Sequence, residues 1–180
     1  MERNRHLRKV TQVALLVALA VVVSLMFAPI LVITGAMVRI NASHTIAQLV
    51  PIIFGPIYGG IASGMANLIA YVIRPQGAWL WHITVLEIFC GILLGVLWKV
   101  VRIRHRFTKL LVLIFIVDMI YSTLNTLGFI MFLPAMQGMG FLVALTPRLL
   151  VAVALVVPKA CVMMVLLNVY ERYIARGERV

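Results

Sequence analysis

Charge is what this sequence has least of. Only 12% of its 180 residues are Asp, Glu, Lys or Arg, against the roughly 25% of an ordinary soluble domain, while 64% are hydrophobic. So few polar residues cannot clothe a large water-soluble core, which leaves an integral membrane protein. Acidic residues are scarcest: five Asp and Glu face sixteen Lys and Arg, a formal net charge of +11. Nucleic acid is one partner for such an excess. The basic residues, however, stand in short clusters beside apolar runs, without interleaved exposed aromatics or a polar scaffold, so membrane topology accounts for them better. Cysteine is limited to Cys90 and Cys161, each within an apolar run. They read as small buried hydrophobes, and no disulfide framework is implied. A Walker-type phosphate loop is missing, so the chain does not hydrolyse ATP itself. Low-complexity tracts, obvious internal repeats and an extramembrane domain of useful size are missing too, so residues 1–180 form one membrane domain. The N-terminal MERNRHLRKV and the TQVALLVALAVVVSLMF after it look like a signal peptide, but no small-residue cleavage motif leads into a soluble mature domain. The segment reads as a retained first span.

What is present is a series of apolar runs. About 20 residues cross a bilayer core as a helix, and runs near 10–28, 42–56, 57–73, 82–101, 109–132 and 145–170 predict six spans, the second and third parted only by Gly55-Pro56. The predicted fold is an all-α bundle of six transmembrane helices. Lys- and Arg-rich short loops stay in the cytoplasm. Arg3, Arg5, Arg8 and Lys9 precede the first span; Lys99, Arg102, Arg104, Arg106 and Lys109 fill the link between the fourth and fifth; Arg172, Arg176 and Arg179 follow the sixth. All three clusters share one side if four and then two crossings separate them, which puts both termini in the cytoplasm. The opposite side keeps Arg39, Arg74 and the stretch LPAMQGMG.

Within the spans and at their outer ends stand His44, Gln48, Asn67, Glu87, Asp118, Asn125, Arg148 and Lys159. A charge near the bilayer centre costs about 2.5 to 3.5 kcal/mol on insertion scales, so these side chains are expected to face a protein interior or a wet cavity. Their spacing agrees: His44 and Gln48 are four apart, as are Ser63 and Asn67; Asp118 and Asn125 are seven apart, Arg148 and Lys159 eleven. Each pair shares a helical face. The plainer reading of any single Asn, Gln or His is interhelical hydrogen bonding, and Glu87 and Asp118 read as partners for a nearby Lys or Arg. Thr146-Pro147 reads as a helix start, Thr as N-cap and Pro at the first position, placing a positive helix end beside Arg148 on the outer face. With Arg39 approaching from the first loop, that arrangement suits a carboxylate, and Tyr71, Trp79, Trp81 and His82 offer flat surfaces to a ring. The plainer role for the tryptophans is the interfacial aromatic belt. Small-residue steps complete the pattern: Ala14 with Ala18, Gly60 with Gly64, Gly91 with Gly95. They let helices approach closely, within the chain or against a partner.

Taken in order, the Ala14–Ala18 step, Arg39 followed by NASHTIAQLVPIIFGPIYGGIASGMANLIAYVIRPQGA, then STLNTLGF and LTPRLLVAVALVVPKA resemble the substrate-binding S components of energy-coupling factor (ECF) transporters, the folate-type group in particular, over about residues 10 to 170. The resemblance implies a six-helix protein of the bacterial cell membrane that captures a vitamin outside the cell and works with a membrane scaffold subunit and two cytoplasmic ATPases. It implies no cofactor and no catalysis. It places Ala14 and Ala18 on the scaffold-docking face, and Arg39, Asn67, Asn125 and Arg148 where the folate-type pattern has polar or pocket-facing residues. His44, Trp79, Trp81 and His82 complete the candidate substrate-binding set. Folate-type chains usually carry an acidic residue where this one has Asn67, and a different loop where it reads GAWLWHIT. Folate or a related acidic vitamin is the leading expectation, with pantothenate, a hydroxymethylpyrimidine-like thiamine precursor and cobalamin open. Two other classes are weighed. A membrane enzyme using His82, Glu87 and Asp118 lacks a spacing that assembles a site locally, and a stand-alone carrier lacks visible inverted repeats with broken helices.

Overall fold

The computed structural model describes residues 2–26, 42–73, 80–132, 138 and 140–173. Seven helical segments make up the described chain: α1 (Glu2–Met26), α2 (Ala42–Ala47), α3 (Leu49–Phe54), α4 (Pro56–Ile73), α5 (Trp81–Val100), α6 (Arg106–Phe132) and α7 (Phe141–Tyr173). Helices α2 and α3 are one apolar helix interrupted at Gln48, so the architecture is six helices, one of them broken. Four of them, α4 to α7, are long and apolar enough to cross a membrane; the apolar stretches Lys9–Leu25 and His44–Phe54 are shorter.

The surface and interior invert the soluble pattern. Large apolar side chains such as Ile57, Val72, Leu142 and Val143 point outward, whereas His44, Gln48, His82, Glu87, Asp118 and Arg148 are buried. That inversion follows from a solvent of acyl chains, where apolar groups face out freely and polar ones must find partners within the bundle. Two apolar clusters hold the helices. One joins Leu49, Leu94, Leu110, Leu113, Ile114, Val117 and Met163, and the other joins Val13, Val17, Ala20, Val50 and Ala62. The broken helix contributes to both, and every residue from His44 to Pro51 is buried.

Gly55 alone separates α3 from α4, with φ at 99°, a left-handed conformation that glycine adopts without a Cβ clash. Its N–H donates to Pro51 O at 3.2 Å, and the chain reverses there, as the Gly55-Pro56 break predicts. The two glycine steps then mesh. A Cβ on Gly91 would meet Gly59 O at 2.7 Å and one on Gly95 would meet the Cα of Pro56 at 2.6 Å, while Gly60 and Gly64 receive Ile92 and Ile88. These glycines therefore serve contact between α4 and α5. Ala14 and Ala18 differ: both are exposed on α1, whose buried face is Val13, Val17, Ala20 and Val21.

Contacts also place the basic clusters. Tyr170 Oη donates to Gln12 Oε1 at 3.3 Å, Arg106 Nη1 reaches Glu171 at 2.8 Å, and Lys109 Nζ donates to Trp98 O at 2.6 Å. Gln12 of α1, the α5–α6 link and the end of α7 thus lie toward one end of the bundle. Of the two cysteines, Cys90 is buried as expected and Cys161 is exposed on α7.

The expected helix start at Thr146-Pro147 is overturned. Helix α7 begins at Phe141 and carries both Pro147 and Pro158 in its interior. Thr146 Oγ1 donates to Leu142 O at 2.6 Å, bonding back into its own helix instead of capping a new one. Proline within a membrane helix is tolerated because neighbouring groups satisfy the freed carbonyls. No positive helix end lies at Arg148, and the case for an anion there rests on the guanidinium itself.

Candidate functional site

The buried polar residues form two groups along the bundle axis. In the first, His44 Nε2 lies 3.1 Å from Glu87 Oε2, so α2 is tied to α5. One turn along, Gln48 Nε2 donates to Asp118 Oδ1 at 3.3 Å, and Lys159 Nζ donates to Asp118 Oδ2 at 2.6 Å. The Tyr121 ring lies 5.1 Å from the His44 ring. His44 and Gln48 keep the polar edge of their helix because that edge meets carboxylates from α5 and α6. The pairing expected for Asp118 is present, with the lysine of α7; Glu87 instead takes the histidine.

Beside Glu87 lies a cavity with about 40 Å³ of water-accessible volume, bounded by Ser24, His44, Ser63, Asn67 and Ala70 among others. Its size admits a few water molecules. Asn67 Oδ1 accepts from Thr84 Oγ1 at 3.1 Å. The shared face of Ser63 and Asn67 therefore looks into the same small polar space as His44.

The second group occupies the opposite end from the basic clusters, about 12 Å along α6 from Asp118 at 1.5 Å per residue. Arg148 is only 7% exposed. Its Cζ sits 4.6 Å above the Phe129 ring, a cation–π arrangement, and its Nη1 reaches Thr126 Oγ1 at 3.4 Å. Nε and Nη2 have no hydrogen-bond partner among the described residues. His82 stacks on Phe132 at 5.2 Å and 18° and meets Phe129 edge-on at 5.7 Å. Its two ring nitrogens are buried without partners among the described residues, as is Asn125 Oδ1. Trp81 lies edge-on to Phe132 at 5.5 Å and is 55% exposed. Gly128 makes the packing possible, since a Cβ there would come within 2.4 Å of the His82 ring.

Of the eight candidate binding residues, the structure gathers Trp81, His82, Asn125 and Arg148 at the ends of α5, α6 and α7, and sets His44 and Asn67 deeper. Arg39 and Trp79 lie outside the described residues. Sequence reasoning missed Phe129 and Phe132. The signal was there: Asp118, Asn125 and Phe132 recur at seven-residue steps on α6. A buried guanidinium with free donors, among aromatic rings, offers a planar anion two parallel hydrogen bonds and a ring a stacking face.

An all-helical bundle of membrane-length helices, carrying such a site at one end, has the architecture of a membrane solute-binding protein. The family model described as ECF-type riboflavin transporter, S component, matches residues 4–172. The chain belongs to that family. Its fold is similar to that in the crystal structure of FolT bound with folic acid, with a TM-score of 0.66 over 85% of this chain and 87% of that one at 17% identity. No curated protein matches the sequence significantly. As an S component, the chain is a substrate-binding subunit of a transporter in the cell membrane, and not an enzyme.

Proposed function

We propose that this S component captures a water-soluble vitamin carrying a flat ring and an acidic group, folate or a close relative being the best match. One observation carries the reading: Arg148 is buried with two guanidinium nitrogens unpartnered, directly against Phe129 and near His82. An unpaired buried cation is costly to maintain unless a ligand compensates it. In this reading Trp81, His82 and Asn125 complete the site with Arg39 and Trp79, while His44 and Asn67 brace its deeper floor.

In this reading the six helices put both termini and the basic end in the cytoplasm and turn Arg148 outward. Ala14 and Ala18, exposed on α1, dock on the ECF scaffold subunit, and two cytoplasmic ATPases supply the energy. The riboflavin transport for which the family is described favours a second reading, riboflavin, whose ring would use the same aromatic faces without needing Arg148. Pantothenate, a hydroxymethylpyrimidine-like precursor and cobalamin are weaker alternatives.

Purification in detergent, mass spectrometry of the co-purifying small molecule and titration against a vitamin panel decide among these. Tight stoichiometric binding of folate without turnover supports the first reading. Retention of riboflavin, with folate unable to displace it, replaces it with the second.

A further inference from the structure

The link between α5 and α6 is a short non-helical segment, Val101–His105, joining two helices that are each long and apolar enough to cross a membrane. A link between two such spans lies at the depth of lipid headgroups. Within it the residues alternate. Val101 and Ile103 are half-buried, with Val101 packing against the α5–α6–α7 core, whereas Arg102 and Arg104 are exposed. Lys99 is exposed nearby, its ammonium 3.5 Å from where a Cβ on Gly55 would sit.

The cations at this end divide sharply. Arg106 is held by Glu171, and Lys109 is held by Trp98, donating to its carbonyl and lying 4.2 Å over its ring. Arg102 and Arg104 have no ion-pair or hydrogen-bond partner among the described residues, and Glu171 is already engaged by Arg106. Apolar side chains flank them, Val100 at 70% exposure and Phe107 at 39%. Two guanidinium groups without a partner among the described residues, at headgroup depth and bordered by exposed apolar side chains, match a molecule with a phosphodiester above and acyl chains beside it.

We propose that the α5–α6 link is a binding site for anionic phospholipid, in which Arg102 and Arg104 hold the phosphate, Lys99 adds a third positive charge, and Val100 and Phe107 contact the acyl chains. The occupant is a lipid and not an acidic protein, because the apolar border is continuous with the lipid-facing surfaces of α5 and α6. The site is independent of the vitamin and lies at the other end of the bundle.

The test equilibrates the purified chain with mixed micelles of equal phosphatidylcholine and phosphatidylglycerol and counts retained lipids by native mass spectrometry. The unmodified chain retains phosphatidylglycerol preferentially. Arg102→Gln with Arg104→Gln weakens that retention about thirty-fold, at roughly 1 kcal/mol per arginine near a membrane surface, and leaves vitamin binding unchanged. Arg102→Lys with Arg104→Lys keeps most of the preference. Equal retention of the two lipids by the unmodified chain overturns the proposal without any variant having to fold. So does a glutamine pair that retains phosphatidylglycerol normally, and loss of scaffold binding in that pair would show that the arginines serve a protein.

Discussion

Lys159 of α7 donates to the carboxylate of Asp118 on α6 at 2.6 Å, and Asp118 is 3% exposed. The carboxylate also accepts from Gln48, so three helical segments meet at one charge. Removing a single partner of a buried ion pair leaves the other uncompensated, at a cost of about 3 to 5 kcal/mol. Lys159→Met is therefore expected to lower the apparent melting temperature in detergent sharply, and Asp118→Asn added to it to recover most of the loss. Equal melting temperatures for the single and double variants would assign the effect to packing of the lysine stem.

Gly128 permits the His82 ring to lie against α6, with no room for a Cβ. Overpacking of this kind costs about 1 to 3 kcal/mol, and here the ring must leave its stack on Phe132. Gly128→Ala is expected to weaken vitamin binding about ten-fold while most of the thermal stability is kept. Isothermal titration beside a melting curve reads both. Unchanged affinity would place His82 outside the site.

Much of this was legible in the residues. The scarcity of charge gave the membrane class, and Gly55-Pro56 gave the break between α3 and α4. Helical spacing also identified the inward polar set, because an azimuth is a local property that a 3.6-residue period fixes. Partners were less accessible. That Glu87 meets His44, or that Phe129 lies under Arg148, depends on how three helices are rotated against one another, and nothing local encodes it. Thr146-Pro147 misled for a different reason: a proline at the first position of a helix and one inside a membrane helix share the same local sequence, and only the bond from Thr146 to Leu142 separates them.

Arg148 leaves Nε and Nη2 without a partner among the described residues and gives Nη1 to Thr126. A hydrogen bond to a charged group contributes about 1.5 to 3 kcal/mol, so Arg148→Ala is expected to weaken an acidic vitamin by that amount, roughly ten- to a hundred-fold at 1.4 kcal/mol per decade. An amide analogue lacking the acidic group should lose far less. Titrating both ligands against both proteins checks the point. An equal loss for the two ligands would mean that Arg148 supports the fold of the site and does not touch the acid.

The two kinds of small-residue step on this chain should fail in opposite ways. Gly91 packs against the backbone of Gly59 with no space for a side chain, so Gly91→Leu is expected to separate α4 from α5 and destabilise the purified protein. Ala14 and Ala18 are exposed on the outward face of α1. Ala14→Leu or Ala18→Leu should leave folding and vitamin binding in detergent intact, because nothing inside the chain has to move. On the proposed docking face, uptake in cells should nonetheless be abolished, since a leucine would hold the scaffold's helix away from a surface of close approach. Binding assays and radiolabelled uptake on the same variants separate the outcomes. Loss of binding in detergent would make these alanines internal packing, and normal uptake would move the docking face elsewhere.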